Sequence, residues 1–314
     1  MADGPSRIAV VGVGAMGSVF AGLFASAGHQ VTVIGRPGAQ IDAIRQNGLR
    51  VEGASGDRTV QVQALEAPGG GPFDLVVLAV KATQVEDAAA GLTGLVGPQT
   101  VLLAMQNGLG AADIVADAIG GERLAIGIAA GYGASVVAPG HARHTGMGPI
   151  KMGAYADLPS SAVETVAALW REAGFNAAAA DDIAAMQWQK LMCNAAFSAP
   201  CAITGMTVSE VFGHADMKRV SLDAGKEAWT IAKARGIEIG IDDPDAYIAA
   251  FAERVGNAKP SLLQDIEAGR QSEIDFINGA VPREATKAGK TAKVNETLTS
   301  IVKAMESRRS GSAQ

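Results

Sequence analysis

The sequence predicts an α/β fold in two parts, an N-terminal half built on a parallel sheet and a C-terminal half made of helices. Three observations predict it. A short β-branched run, Ile8 to Val11, breaks into glycines spaced G-x-G-x-x-G and then into a Pro-free stretch that suits a helix. The runs Phe73 to Val80 and Thr100 to Ala104 are continuously apolar, as interior strands of a parallel sheet are. From 183 to 306 the apolar period is helical almost throughout. The 314 residues suffice for two cores, and the pattern changes near Asp182, so the expected domains are 1–181 and 182–314.

The order strand, glycine turn, helix is the one a dinucleotide site requires. In Gly12-Val13-Gly14-Ala15-Met16-Gly17, the first glycine would allow the tight turn and the second the approach of a pyrophosphate. The third would let helix and strand pack closely, with the phosphates on the free N–H groups at the helix start. Gln30 to Ile34 reads as the second strand, ending in Gly35-Arg36-Pro37. An acidic residue there would hold a ribose 2′-hydroxyl, whereas an arginine can pair with a 2′-phosphate. Arg36 stands at that place and no acid follows before Asp42, so NADPH is expected over NADH.

Residues 39–47 read as a helix, Leu49 to Leu65 as a small hairpin or edge pair, and the cluster Gly69 to Pro72 as a loop. The strand from Phe73 delivers Lys81 and Gln84 to its carboxyl end, and the strand from Thr100 delivers Asn107. Ligands of open parallel sheets lie outside those ends, which makes these polar residues candidates for the cofactor site. Leu124 to Ala129 reads as a further strand and Tyr132 to Met152 as an antiparallel extension. His141 and His144 there should face opposite sides and make no metal pair. A helix over 160–174 and a strand from Phe175 to Ala179 precede the helical half, whose breaks fall at Gly205, Gly213, Gly236 to Pro244, Pro260, Gly269 and Gly289. The tail from Ser307 is expected to fray.

A formal net charge of −6 argues against a nucleic-acid footprint. Only 4% of the residues are aromatic, so the cores must be built from Ala, Val, Ile, Leu and Met. Cys193 and Cys201 form no framework or metal pattern and fit a reducing, cytoplasmic setting as inert buried thiols. Val10 to Ala27 imitates a signal-peptide core, but glycines interrupt it and a strand follows. No run reads as a membrane span.

In the helix after Asp182, Lys190, Asn194 and Ser198 stand at i, i+4 and i+8 and share one narrow polar stripe in apolar surroundings. Such a stripe can be merely a wet face. A lysine beside apolar surface, with an amide one turn away, can also give a proton to a substrate oxygen. Further on, Ser261 reads as an N-cap, and Ser272 with Asp275 as an S-x-x-D cap whose first turn holds Glu273. A nucleotide-binding half followed by a helical half is expected to place a small-molecule site in a cleft.

These segments together resemble the ketopantoate reductase (2-dehydropantoate 2-reductase) family over nearly the whole chain. The carriers are Gly12 to Gly17, Arg36, Val80-Lys81-Ala82-Thr83-Gln84, Gln106-Asn107-Gly108, Trp188-Gln189-Lys190-Leu191 with Asn194, Ser261 to Asp265, and Ser272-Glu273-Ile274-Asp275. The resemblance implies a Rossmann-type domain and a helical domain like the C-terminal one of 6-phosphogluconate dehydrogenase. It also implies NADPH as cofactor, a cytoplasmic homodimer, and reduction of ketopantoate to pantoate for pantothenate and coenzyme A synthesis. Lys190 would protonate the carbonyl oxygen, with Glu273 organising the substrate and cofactor end. Asn107, Asn194, Ser198 and Ser261 would meet substrate. Lys81, Gln84 and Asn107 would face the cofactor bound at Gly12 to Gly17.

Three departures bear on substrate: the family often has asparagine where this chain has Ser198, near Val208, and at Ala258, next to Asn257. The alternatives are a reductase of another branched 2-oxo acid, a 3-hydroxyacid or sugar-phosphate dehydrogenase of similar layout, and a non-catalytic NADPH-binding sensor. The Ser-Glu-Ile-Asp segment argues against the 3-hydroxyacid and sugar-phosphate dehydrogenases, and the presence of both Lys190 and Glu273 argues against the sensor.

Overall fold

A computed structural model describes residues 4–311, with side chains through 308. The chain divides into two compact units, the first taking in the chain up to Gln106 with Ala111–Ile183. The second takes in everything from Ala184 onward and also Asn107–Gly110, four residues that the sequence assigned to the first half.

In chain order the first unit contains β1 (Arg7–Val11), α1 (Ala15–Ser26), β2 (Gln30–Ile34), α2 (Ala39–Asn47), β3 (Leu49–Gly53), β4 (Arg58–Val60), β5 (Gln63–Leu65) and β6 (Leu75–Leu78). There follow α3 (Val85–Ala89), β7 (Val101–Ala104), α4 (Ala111–Ile119), β8 (Leu124–Ala129), β9 (Gly133–Ala138), β10 (His141–Gly146), β11 (Ile150–Ala154), α5 (Ser160–Glu172) and β12 (Ala177–Ala179). The main sheet has the order β12-β11-β8-β7-β6-β1-β2-β5. Strands β5 to β8 are parallel around β1, while β11 runs antiparallel to β8. The chain thus works outward from β1 to β2 and β5, then returns to the other side of β1 at β6. That reversal puts a switch point at the carboxyl end of β1, where Gly12 begins the turn. All four residues of β6 are buried, as its uninterrupted apolar run requires.

Two strand expectations change. The hairpin is β3–β4, but β5 leaves it to pair with β2 in the main sheet. The antiparallel extension also splits: β9 and β10 pair with each other, β10 lies parallel to β3 in a separate sheet of order β4-β3-β10-β9, and β11 returns to the main sheet. Alternation of side chains fixes which face is buried but not which neighbour a strand takes. The second sheet packs on α1, and α1 is buried from Gly17 through Phe24 as a result. Phe20 and Phe24 of α1 meet Trp170 of α5 edge-on, with ring centroids 4.9 and 5.1 Å apart, which anchors the helix whose N-terminus faces the glycine turn.

The second unit contains α6 (Ile183–Thr204), α7 (Val208–Gly213), α8 (Ala215–Ala234), α9 (Pro244–Val255), α10 (Ser261–Glu267), α11 (Ala280–Lys287) and α12 (Lys293–Gly311). The last helix continues past Ser307, where fraying was expected, and 312–314 lie outside the described residues. Helix α6 is the centre of this unit. From Leu191 to Ala202 every residue is buried except Asn194. Pro200 lies inside it and has no N–H for the Ala196 carbonyl. The Ser221 hydroxyl of α8 donates to that carbonyl instead. Next to it, Asn278 Nδ2 donates to the Ala195 carbonyl at 2.9 Å and to Asn295 Oδ1 at 2.9 Å. Asn295 in turn donates to the Ala224 carbonyl and to Glu227. The one carbonyl that the proline leaves without a helix donor is thus satisfied from another helix.

Removing the Ser221 hydroxyl leaves the Ala196 carbonyl buried without a donor. Ser221→Ala should therefore lower unfolding stability by about 1–3 kcal/mol. The measurement is a urea titration, in which the midpoint falls and the slope is unchanged.

Candidate active site

The glycine turn after β1 is as tight as its spacing predicts. Gly12 has φ +99°, and a Cβ there would lie 2.6 Å from the Val80 nitrogen, so the exit of β6 packs directly on the turn. A Cβ on Gly17 would lie 1.9 Å from the Gly12 oxygen, closing the turn on itself. Over Gly14 there is open space. Gly14 is the N-cap of α1, which has no side-chain cap and no acid in its first turn. Val13, Ala15 and Met16 complete a rim with N–H groups at a helix start, a fit for a pyrophosphate.

Arg36 is exposed just beyond β2, and Asp42, the nearest following acid, lies 3.8 Å from Arg45. Lys81 precedes a short 3-10 turn after β6 and Gln84 is its last residue, both partly buried. Gln106 holds that strand exit by donating to the carbonyls of Leu78 at 2.8 Å and Val80 at 3.0 Å. A separate cavity of about 380 Å³ lies at the amino ends of β1 and β2, bordered by Arg7, His29, Thr32 and Phe73. It lies opposite the carboxyl ends of the strands, where open parallel sheets hold their ligands.

In the helical unit three residues far apart in sequence converge. Lys190 Nζ donates to Asn107 Oδ1 at 2.8 Å, and Asn107 Nδ2 lies 3.5 Å from Glu273 Oε2. Glu273 is 8% exposed. Burial lowers the Lys190 pKa from its ordinary value to about 8, against the carboxylate of Glu273, which raises it. The ammonium is therefore mostly protonated at neutral pH yet close to the pH at which it can release a proton, the condition for a general acid.

The remaining candidates have different surroundings. Asn194 is partly exposed one turn along α6, and Ser198, a further turn on, is 4% exposed. Ser261 is not the N-cap expected of it. Pro260 occupies that place, and Ser261 is the exposed first residue of α10. No hydrogen bond of the Asn194 amide or the Ser261 hydroxyl is recorded among the described residues, so both keep their capacity for a ligand. The Ser272 cap is also weaker than expected: its hydroxyl accepts only from the Ile274 N–H, at 3.3 Å, over a 3-10 turn from Ile274 to Phe276. The chain stops after one turn there because Ile277 leaves helical geometry with ψ −94°.

His141 pairs with Glu52 at 3.0 Å, while His144 is buried and stacks on Tyr132. No cluster of three or more metal-ligating side chains occurs among the described residues. Burial pushes the Cys193 and Cys201 thiols up to about 12, which makes them unreactive. Among the described residues no helix is long and apolar enough to cross a membrane. Sequence reasoning missed Asn278 and Arg283, which hold the segments of the site together. An amide alone in the apolar run 276–281 was the only available signal for Asn278, and nothing marked Arg283.

A glycine turn shaped for a dinucleotide and a lysine poised to release a proton are the equipment of an oxidoreductase. Two family models, ketopantoate reductase PanE/ApbA over residues 8–157 and its C-terminal region over 182–306, match the chain, which belongs to that family. A 2-dehydropantoate 2-reductase of Pyrococcus horikoshii is 31% identical over 98% of this chain and 99% of its own length. A PanE/ApbA family ketopantoate reductase from Ralstonia eutropha JMP134 superposes with TM-score 0.88 at 30% identity, covering 97% of this chain and 99% of that one. D-mandelate dehydrogenase, solved with NADH and anilino(oxo)acetate, superposes with TM-score 0.89 at 26% identity over 97% and 99%.

The opposing influences on Lys190 give a direct check. Replacing the carboxylate in Glu273→Gln removes the influence that raises the Lys190 pKa, which should fall below about 8. Titrating the Lys190 side-chain carbon resonance measures it, and a value that holds or rises would exclude this electrostatic role for Glu273.

Proposed function

We propose that this chain reduces 2-dehydropantoate (ketopantoate) to pantoate with NADPH, the step that feeds pantothenate and coenzyme A synthesis. The observation that carries the proposal is the cluster of Lys190, Asn107 and Glu273. Reduction of a 2-oxo acid develops negative charge on the ketone oxygen and needs a cationic donor there. NADPH, when bound, supplies the hydride. Lys190 Nζ donates the proton to the ketone oxygen. Asn107 orients the ammonium by accepting a hydrogen bond from it, and Glu273 keeps it charged against burial. Asn194, Ser198 and Ser261 supply hydrogen bonds to the rest of the substrate.

For the cofactor, the N–H groups at Gly12 to Gly17 would hold the pyrophosphate and Arg36 the 2′-phosphate, with Lys81, Gln84, Asn107 and Glu273 toward the nicotinamide end. The absence of an acid at the end of β2 supports NADPH over NADH. A cytoplasmic homodimer goes with this reading on the strength of the sequence resemblance, and light scattering tests the dimer.

A second reading has its own support. D-mandelate dehydrogenase shares the fold, and Ser198 departs from the asparagine common in ketopantoate reductases. On that reading the substrate is another branched or bulky 2-oxo acid and Lys190 keeps its role. Nicotinamide oxidation with ketopantoate, a panel of other 2-oxo acids, and 3-oxo and sugar-phosphate controls separates the readings. No turnover with any of them would leave a binding protein.

Lys190→Ala should lower kcat by about 10²–10⁴-fold with little change in NADPH affinity. An unchanged kcat would remove Lys190 from the chemistry. Because the protonated lysine is the active form, kcat/KM for reduction should be level below its pKa and fall about tenfold per pH unit above about 8. Arg36→Glu, which removes a charge-assisted contact and adds repulsion, should weaken NADPH at least about tenfold while sparing NADH. Equal loss for both cofactors would show that Arg36 does not read the phosphate.

A further inference from the structure

Asn107 lies in a loop, with no helix or strand to hold it. The next residues include Gly108 and Gly110, with φ of +81° and +101°, conformations that leave a chain adaptable unless something seats it. The Leu109 N–H donates to the Phe276 carbonyl at 2.9 Å. Arg283, in the opening turn of α11, donates from Nη2 to the Leu109 carbonyl at 2.7 Å and from Nη1 to the Asp275 carbonyl at 3.1 Å. One guanidinium fork therefore spans two backbone segments, the one that follows Asn107 and the one that follows Glu273.

The glycines fit the same arrangement. A Cβ on Gly110 would lie 2.6 Å from Arg283 Nη2, and one on Gly108 would lie 1.8 Å from the Phe276 oxygen. Helix stability does not account for the arginine, since a cation near a helix N-terminus opposes the dipole. Nor does an ion pair: none is recorded for Arg283 with a carboxylate among the described residues.

We infer that Arg283 is a positioning residue, fixing the Asn107 loop on the Glu273 segment so that the Asn107 amide meets the Lys190 ammonium. It touches none of the reacting groups. It acts through the placement of Asn107, where a shift of about 1 Å can cost on the order of 10²-fold in rate. A lysine, with a single point of charge, cannot span both carbonyls. The inference rests on the proposed reductase reading for its effect on rate, but not for its effect on the loop.

Two measurements on Arg283→Ala and Arg283→Lys test it. In hydrogen exchange on the protein without ligands, both substitutions should speed exchange in the segment 107–110 and leave α8 and α12 unchanged. Unchanged exchange at 107–110, or faster exchange throughout the unit, overturns the inference whether or not the enzyme reduces ketopantoate. In turnover with whichever 2-oxo acid the wild-type enzyme reduces, Arg283→Ala should lower kcat about tenfold or more with the KM for NADPH unchanged. Placed on Asn107→Ala, the same substitution should cost less than about twofold more, because the residue it positions is already gone. Equal losses in both backgrounds overturn it. If the wild-type protein reduces no 2-oxo acid, the functional reading falls and the exchange result decides the role of Arg283 alone.

Discussion

An ammonium group held among apolar side chains has to find partners, and the Lys190 ammonium sets the conditions that the helical unit meets. Burying a charge without compensation is among the least favourable things a fold can do. Here burial takes the lysine down to about 8 and no further, because the Glu273 carboxylate acts against it, and an amide oxygen accepts a hydrogen bond from the ammonium. The amide comes from 83 residues before the lysine, and the carboxylate is 166 residues beyond that amide. The need for that amide is a physical reason why Asn107–Gly110 belong to the helical unit although the chain on either side of them belongs to the sheet.

Convergence of this kind requires a rigid reference, and α6 provides it. From Leu191 to Ala202 only Asn194 escapes burial, which leaves little freedom to rotate, and Pro200 leaves the Ala196 carbonyl for a tie to another segment. Ser221 reaches the Ala196 carbonyl from α8, and Asn278 reaches the Ala195 carbonyl from the stretch that carries Glu273. Glu273 and Lys190 are thus referred to the same helix backbone, one through covalent bonds and the other through Asn278. The network continues through Asn295 to Glu227, so the amide that makes the tie is itself held. Buried polar groups linked in this way specify one arrangement of their segments.

The parts legible in the sequence were those whose physics is local. The glycine turn, the interior strands β6 and β7, the helix α5 and the polar stripe on α6 follow from period and residue type within a dozen positions. Sheet partners did not follow, because β5, β10 and β11 each present an alternation that several neighbours would satisfy. Caps were misjudged at Ser261 and Ser272 because a serine before an apolar run reads the same whether the helix starts at it, before it, or stops after one turn. The roles of Gln106, Asn278 and Arg283 were out of reach for another reason. Each acts on backbone carbonyls of distant segments, and a carbonyl leaves no trace in a sequence.

That distinction also bears on the positions at which this chain departs from many of its relatives. Val208 is 2% exposed and packs in the apolar core, while its N–H donates to the Ala258 carbonyl at 3.1 Å. Its side chain is fixed by packing, and an amide there would be buried among aliphatic groups, so a valine at 208 speaks to the core rather than to a substrate. Ala258 is exposed, and its backbone is what the fold uses. Ser198 is different, since it shares the stripe of Lys190 and Asn194 and offers a hydroxyl where an amide would reach further. A site built to hydrogen-bond a polar group discriminates strongly against its loss, whereas a smaller side chain discriminates mainly by volume. On the proposed reading, the choice of 2-oxo acid would turn on Ser198 and the exposed Ser261, while the proton transfer proposed for Lys190, Asn107 and Glu273 is indifferent to what the rest of the substrate carries.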